Sequence, residues 1–102
     1  MFGLPDVTFA RMREVFARYP SIEKVVIYGS RAKGNFRPGS DIDLTLIGKE
    51  LDDSVLSHIS TDLDDLNMPY MLDVSLFEQI VSEALLQHID RVGKVFYQRD
   101  FD

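Results

Sequence analysis

The sequence contains no cysteine and only two histidines. The absence of cysteine excludes disulfides, a thiolate nucleophile and a cysteine-ligated zinc site. His58 and His88 lie far apart, each on a predicted helix, and we interpret both as surface or packing residues rather than catalytic ones. No serine–histidine triad is recognisable either. The chemistry of this chain must therefore come from other residue types.

Positive charge is also scarce. There are 11 Lys and Arg residues against 17 Asp and Glu residues, which gives a formal net charge of −6. A protein that grips a nucleic-acid backbone needs a basic surface, so we expect no direct binding to nucleic acid. No apolar run approaches the roughly 20 residues of a membrane span, and the first residues lack the basic-then-apolar pattern of a signal peptide. We expect a soluble cytoplasmic protein that does not bind membranes.

The composition itself is typical of a folded domain. With 102 residues, 45% of them hydrophobic, the chain is expected to form a single domain over residues 1–102. Hydrophobic spacing and turn signals predict helices at 8–19, 54–66 and 78–91, with a short helix capped by Ser30. The same signals predict strands at 24–28, 41–47, 70–76 and 94–97.

Strand alternation places acidic side chains together. In the second strand Asp41, Asp43 and Thr45 point to one face, and in the third strand Asp73 and Ser75 share a face. If the two strands are neighbours in register, three carboxylates gather on one polar face, whereas the other face is apolar and needs a layer of helices. This pattern predicts an α/β (α+β) two-layer fold: a small mixed sheet with helices packed on one face and the polar face open for a site.

The carboxylate pair suggests a metal site. Two carboxylates at i and i+2 of a strand start about 7 Å apart at the backbone, and their side chains can converge on a cation. Magnesium favours one or two carboxylates together with substrate phosphates, and two-metal sites activate the attacking oxygen and stabilise the leaving one. An isolated Asp41-x-Asp43 would favour an Asx-type turn that enters a strand. Asp73, taken alone, fits a capping or edge-strand role equally well.

A Gly-Ser pair shifts the balance towards metal-dependent chemistry. Gly29 lets the backbone approach a phosphate, and Ser30 offers a hydroxyl and an N–H at a helix N-terminus. Arg31, Lys33 and Arg37 follow this pair in an otherwise acidic chain. Such charges are usually solvated; here we hypothesise that they offset triphosphate charge, with Arg31 as a nucleotide-binding residue, or contact an acidic partner. The arrangement indicates chemistry on a nucleoside triphosphate.

The stretch GSRAKGNFRPGSDIDL resembles the signature of the DNA polymerase β-type nucleotidyltransferase superfamily: Gly-Ser, ten residues, then Asp-x-Asp. The minimal (MNT-type) nucleotidyltransferases are the most similar branch. The resemblance also includes a leading helix, a third Asp in an apolar strand, and a closing helix followed by GKVFY. It covers most of the chain and implies a nucleotidyltransferase fold.

The resemblance implies roles for individual residues. The family's equivalents of Gly29 and Ser30 bind the triphosphate, and those of Asp41 and Asp43 bind metal ions. The third acidic residue, matched to Asp73, completes the metal site or serves as the base. The implied cofactor is Mg²⁺, as two ions, with Mn²⁺ as a substitute, and the implied substrate is ATP.

The resemblance also implies a partner. Many minimal members are prokaryotic and are encoded beside a HEPN-domain protein, often a toxic ribonuclease. In such pairs the nucleotidyltransferase acts as antitoxin by transferring AMP from ATP to a tyrosine of the toxin. Larger relatives bind the acceptor with an additional domain, for which this chain has no residues left. We therefore expect a HEPN-type partner or a second copy, in a hetero- or homo-oligomer, to complete the cleft.

The same residues also fit other functions. The chain could neutralise its partner by stoichiometric binding without catalysis, or transfer a nucleotide to a small hydroxylated molecule, as antibiotic-modifying relatives do. The residues from Asp41 to Thr45 also fit the DxDx[T/V] pattern of HAD-type phosphatases. Those enzymes place the nucleophile at the end of an apolar strand, whereas this pair begins one, and their fold needs a longer chain. The phosphatase alternative is therefore rejected.

Overall fold

The structure, a computed structural model, describes residues 1–100. None of the helices in this range is both long and apolar enough to cross a bilayer. A short 3₁₀ turn at Phe77–Gln79 follows the third strand. The four helices and four strands of the described residues are, in chain order, α1 (Asp6–Ala17), β1 (Lys24–Tyr28), α2 (Ser30–Lys33), β2 (Ile42–Ile47), α3 (Asp53–Asp64), β3 (Leu72–Leu76), α4 (Glu83–Val92) and β4 (Lys94–Gln98).

The strands form one mixed sheet in the order β3-β2-β1-β4. β1 runs antiparallel to β2 and to β4, whereas β2 and β3 are parallel. Parallel neighbours cannot be joined by a tight hairpin, and α3 supplies the crossover between them. β1 is central, as its apolar sequence KVVIY predicted, and its last four residues are buried. The predicted α/β fold built on a small mixed sheet is confirmed.

The main core lies between one face of the sheet and helices α1 and α3. Its fully buried side chains include Phe16 of α1, Ile27 of β1, Leu44 of β2 and Ile59 of α3. Burial of an apolar side chain of this size contributes about 1.5–3 kcal/mol relative to an exposed position. This packed layer supports the opposite, more polar face of the sheet.

Helix α4 lies on that opposite face, which differs from the prediction of helices on one face only. A second apolar cluster joins Ile89 of α4 to Val26 and Tyr28 of β1. These two strand residues alternate with Val25 and Ile27, which belong to the main core, so β1 carries apolar side chains on both faces. The face that holds the carboxylates is therefore partly covered by α4.

Helix α4 is also shorter than predicted, because it begins at Glu83 rather than at position 78. The Ser82 side chain accepts a hydrogen bond from the Leu85 N–H at 3.2 Å and caps the first turn. The preceding residues form the 3₁₀ turn Phe77–Gln79 instead. A serine N-cap thus sets the start of the helix, and the prediction of this boundary was wrong.

The C-terminal end of α1 is joined to α3 by a side-chain hydrogen bond. The Tyr19 hydroxyl donates to the Asp62 carboxylate. Burial and this neighbouring carboxylate raise the pKa of Tyr19 to about 12. A tyrosine with a raised pKa contributes stability that is fully present below its ordinary pKa of 10.0 and is lost as the pH rises through the raised value. The contact is therefore intact at neutral pH.

We expect Tyr19→Phe to lower the free energy of unfolding by about 1 kcal/mol, because phenylalanine keeps the ring and removes the donor. For a domain of this size the melting temperature should fall by about 4–8 °C. A double-mutant cycle with Asp62→Ala isolates the contribution of the pair. Equal melting temperatures of wild type and Tyr19→Phe at pH 7 would contradict this assignment.

Candidate active site

Three strands bring Tyr28, Asp43 and Asp73 into one row across the sheet. Asp43 is the register partner of Tyr28 on one side and of Asp73 on the other. Register partners on adjacent strands project their side chains from the same face. The alternation in the sequence predicted this neighbourhood of Asp43 and Asp73, and the register agrees. Asp41 lies just before β2, two positions from Asp43, and is exposed.

A hydrogen-bonded pair lies one step further along the same face. Thr45 and Ser75 are register partners, and the Ser75 hydroxyl donates to Thr45 Oγ1 at 3.2 Å. Thr45 is fully buried. Both residues follow the carboxylates of Asp43 and Asp73 by two positions, and a slip of one residue would turn every side chain of a strand to the other face. This pair therefore helps to fix the register that brings the carboxylates together.

The neighbouring carboxylates influence the ionisation of Asp43. Burial raises the pKa of the Asp43 carboxyl above its ordinary value, and repulsion from Asp73 and Asp41 raises it further, while His88 acts in the opposite direction. Ionisation of Asp43 therefore costs more free energy in the protein alone than it does in water. A cation placed among these oxygens would offset both the burial and the repulsion.

Gly29 lies directly against the carboxylate of Asp43. Its backbone angles, φ 76° and ψ −156°, fall in a region that is essentially restricted to glycine. A Cβ added at this position would overlap Asp43 Oδ2. The glycine that was predicted to let a phosphate approach thus also leaves room for the Asp43 carboxylate.

Ser30 begins the short helix α2, with Gly29 as its N-cap. The helix ends at Gly34, which adopts the left-handed conformation and donates its N–H to Ser30 O at 2.9 Å. The start of α2 therefore follows immediately after the glycine that touches Asp43. The Gly-Ser turn and the second-strand carboxylate, predicted as the two halves of one site, are brought together in the structure.

All of these residues lie within the range of a family match. A family model described as Polymerase beta, Nucleotidyltransferase matches residues 11–102. The chain belongs to this nucleotidyltransferase family. The resemblance noted in the Gly-Ser and Asp-x-Asp spacing is thereby confirmed.

Solved structures show the same fold, although no curated protein sequence matches the chain. A toxin–antitoxin with AMP-PNP gives a TM-score of 0.70 at 18% identity, over 95% of this chain and 76% of that chain. A tri-AMPylated Shewanella oneidensis HEPN toxin in complex with MNT antitoxin gives a TM-score of 0.67 at 16% identity, over 91% of this chain and 71% of that chain. The toxin–antitoxin MntA-HepT gives a TM-score of 0.68 at 15% identity, over 93% of this chain and 74% of that chain. At these identities the likeness concerns the fold.

Membership of the nucleotidyltransferase family implies divalent cations and a nucleoside triphosphate. Among residues 1–100, no three acidic or histidine side chains are arranged to hold a cation by themselves. The donors of Asp41, Asp43 and Asp73 are nevertheless carboxylate oxygens, which suit magnesium when substrate phosphates complete its ligands. The raised pKa of Asp43 is a second indication that positive charge is favourable here. The residues therefore fit a cation that is shared with a bound triphosphate.

Arg31, predicted as a nucleotide-binding residue, makes other contacts in this nucleotidyltransferase domain. Its side chain is only 2% exposed. The guanidinium donates to Ser40 O at 3.0 Å and to Phe2 O at 2.9 Å, and it lies over the rings of Phe36 and Tyr70. We therefore assign Arg31 to holding the loop that leads into the carboxylates. The two other basic residues of this loop are exposed.

His88 borders the nucleotidyltransferase site, which the interpretation of the sequence missed. The Gly29 N–H donates to His88 Nε2 at 3.2 Å, and the imidazole meets the Tyr28 ring edge-on, with centroids 6.1 Å apart. The sequence contained an indication that His88 faces the sheet, since it lies three residues after Leu85 and one before Ile89, on the apolar side of α4. The other histidine, on α3, is exposed and agrees with its predicted surface position.

Proposed function

We propose that this chain is a metal-dependent nucleotidyltransferase that transfers AMP from ATP to a hydroxyl of a partner protein, a tyrosine of a HEPN-type toxin, and thereby acts as an antitoxin. The observation that carries the proposal is the packing of the Asp43 carboxylate against Gly29 of the Gly-Ser turn, with Asp73 beside it in the sheet. Membership of the nucleotidyltransferase family supports the class of reaction.

The similar solved structures support the choice of nucleotide and acceptor. One of them is a toxin–antitoxin with AMP-PNP, and another pairs an MNT antitoxin with a tri-AMPylated HEPN toxin. AMP-PNP is an analogue of ATP, and AMPylation is the transfer of AMP to a protein side chain. The shared fold and the membership of the nucleotidyltransferase family support the same chemistry for this chain.

In this proposal the Gly-Ser turn binds the triphosphate. The Ser30 hydroxyl and the backbone N–H groups at the start of α2 donate to phosphate oxygens, and the missing side chain of Gly29 lets the phosphates approach. Asp41 and Asp43 would hold Mg²⁺, as two ions, or Mn²⁺ in its place. When bound, such ions neutralise the triphosphate and polarise the reacting oxygen atoms.

In this proposal Asp73 acts on the acceptor. β3 is an edge strand and the Asp73 side chain is exposed, whereas Asp43 on the inner strand β2 is half-buried. The acceptor hydroxyl oxygen attacks the α-phosphorus of ATP, a phosphodiester bond forms, and the bond to pyrophosphate breaks. Asp73 accepts the hydroxyl proton as a general base. Asp43, which contacts the Gly-Ser turn, remains a cation ligand.

We expect Asp73→Asn to lower the rate of transfer by about 10²–10⁴-fold, because asparagine keeps the shape of the side chain but does not accept the proton. Nucleotide affinity should change much less. Single-turnover kinetics and nucleotide titrations separate the two effects. Glu14→Gln removes one negative charge from an exposed position of α1 and serves as the control. A normal rate per folded molecule, with only a changed melting temperature, would assign Asp73 to structure instead.

The acceptor is tested by mass spectrometry. The chain is co-expressed with the protein encoded beside its gene, and the purified complex is analysed as intact protein and as peptides. The expected result is a mass increase of one or more AMP units on a tyrosine of the partner. The same experiment with Asp41→Asn should give an unmodified partner.

Neutralisation by binding alone is the second candidate. One observation supports it: a similar solved structure holds an MNT antitoxin in complex with a HEPN toxin. This candidate predicts a partner that is bound and inhibited by both the wild type and Asp41→Asn, with no added mass. If the chain binds no protein encoded beside its gene, a small hydroxylated molecule would be favoured as the acceptor.

A further inference from the structure

The contact between His88 and Gly29 joins helix α4 to the Gly-Ser turn. The pairing of β1 with β2 ends at Tyr28, and its pairing with β4 ends at Ile27. The next backbone donor, the Gly29 N–H, therefore lies beyond the sheet ladder. A half-buried N–H needs a partner, and His88 Nε2 supplies it at 3.2 Å.

The conformation of Gly29 makes this partner important. Glycine populates many backbone conformations about equally, so the observed one is not selected by the residue itself. At φ 76° and ψ −156°, the chain turns so that the Gly29 α-carbon lies beneath the Asp43 carboxylate and α2 starts at Ser30. A hydrogen bond to the Gly29 N–H restrains this turn at its first backbone atom.

Helix α4 is itself held firmly, so His88 is a fixed acceptor. Ile89 is 7% exposed and packs against Val26 and Tyr28 of β1. The Gly93 N–H donates to Ile89 O at 2.8 Å and closes the last turn. The His88 ring also meets Tyr28 edge-on, with an angle of 82° between the rings. The imidazole is thus oriented by contacts that do not involve the Gly-Ser turn.

We propose that His88 is a positioning residue of the nucleotide site: its Nε2 holds the Gly-Ser turn in the conformation that presents Ser30 to a triphosphate and keeps Gly29 against the Asp43 carboxylate. This inference rests on the proposed function. His88 acts through Gly29 and does not touch the substrate. Its loss should therefore affect nucleotide binding more than the chemical step.

Two substitutions separate the hydrogen bond from packing. In His88→Gln the side-chain carbonyl oxygen can take the place of Nε2, whereas His88→Met has a similar length and no nitrogen or oxygen acceptor. We expect His88→Met to raise the KM for ATP and the Kd of a fluorescent ATP analogue about tenfold, as the loss of one hydrogen bond predicts, with a smaller change in kcat. His88→Gln should stay within about twofold of the wild type.

Exchange of the Gly29 amide, followed by NMR, reports the contact without any catalysis. It should be faster in His88→Met than in the wild type and close to normal in His88→Gln. His58→Met on α3, where the histidine is exposed, is the matched control and should leave every measurement unchanged. Thermal melts of all four proteins establish that each is folded.

The outcomes distinguish this inference from the proposed function. A wild-type protein that binds no nucleotide would overturn both. A wild type that binds nucleotide, with His88→Met equal to it in KM and Kd, would overturn the role of His88 alone. An equal rise of KM and Kd in His88→Met and His88→Gln would show that the ring acts by packing against Tyr28, and would also overturn the inference.

Discussion

Asp43→Asn is expected to slow nucleotidyl transfer by at least about 10²-fold and, at neutral pH, to raise the melting temperature. The loss of activity follows from the proposed role of Asp43 as the inner cation ligand, because bound metal ions stabilise a phosphoryl-transfer transition state by several kcal/mol. Loss of a few kcal/mol of this stabilisation lowers the rate by about 10²–10³-fold, since each 1.36 kcal/mol added to the activation free energy slows the reaction tenfold. Transfer to the partner, measured with excess Mg²⁺ and ATP, checks this expectation.

The gain in stability follows from the raised pKa of Asp43. Burial and repulsion from Asp73 and Asp41 favour the protonated carboxyl in the folded protein. The stability contributed by such a group is fully present below its unfolded pKa and is lost as the pH rises through the raised folded pKa. Ionised Asp43 therefore weakens the fold at neutral pH, and asparagine avoids this cost. The advantage of the variant should disappear as the pH falls below the ordinary carboxyl pKa of 3.8.

Magnesium separates the two effects of Asp43→Asn. We expect Mg²⁺ with an ATP analogue to raise the melting temperature of the wild type and to have much less effect on the variant. Asp41→Asn is the matched comparison, because Asp41 is exposed and its loss should reduce activity with a smaller gain in stability. Full activity of Asp43→Asn, or a lower melting temperature than the wild type at pH 7, would contradict this account.

Gly29→Val is expected to have the second large effect, the loss of triphosphate binding. The substitution places a β-branched residue at φ 76° and ψ −156°, a region that costs other residues about 1–3 kcal/mol. Its Cβ would also displace the Asp43 carboxylate, which now occupies that space. The proposed phosphate-binding turn and the proposed cation ligand are therefore disturbed together. Titration with an ATP analogue, beside a thermal melt, measures both consequences.

Gly39 provides a close control for this experiment. It also has a positive φ, of 85°, but an added Cβ would meet nothing within 4 Å. Gly39→Ala therefore measures the free-energy cost of a side chain at positive φ, about 1 kcal/mol, in the absence of a steric clash. Gly29→Ala measures the cost of positive φ together with the clash against Asp43. We expect Gly39→Ala to be slightly less stable and to bind nucleotide normally. Equal nucleotide affinity in the wild type and Gly29→Val would refute the proposed phosphate turn.

Local sequence patterns predicted the parts of the site that depend on the geometry of single strands. The spacing of Asp41 and Asp43, and the position of Asp73 in an apolar strand, predicted carboxylates on one face on the condition that the two strands are neighbours in register. The structure meets this condition, because β2 and β3 are paired with Asp43 opposite Asp73. The strand at 24–28 was predicted correctly because its apolar residues are flanked by clear turn signals.

Contacts between distant segments were not predictable in the same way. The burial of Arg31 depends on Phe2 and Tyr70, which lie far from it in the sequence, and a charged residue in a loop is solvated by default. The position of α4 depends on which face of β1 is left uncovered by other helices, and local periodicity does not contain that information. The contact of His88 with Gly29 follows from this placement and was missed with it.

The position of β1 between β2 and β4 determines when the protein can become functional during its synthesis. β4 is translated last among the strands, and His88 follows Gly29 by 59 positions. Until these segments leave the ribosome, the nascent chain carries β1 with one unpaired edge and a Gly-Ser turn without its α4 partner. Unpaired strand edges are places where aggregation starts. A chain that ends just before residue 94 lacks β4 and leaves this edge of β1 unpaired, so it should aggregate more readily than the 102-residue chain.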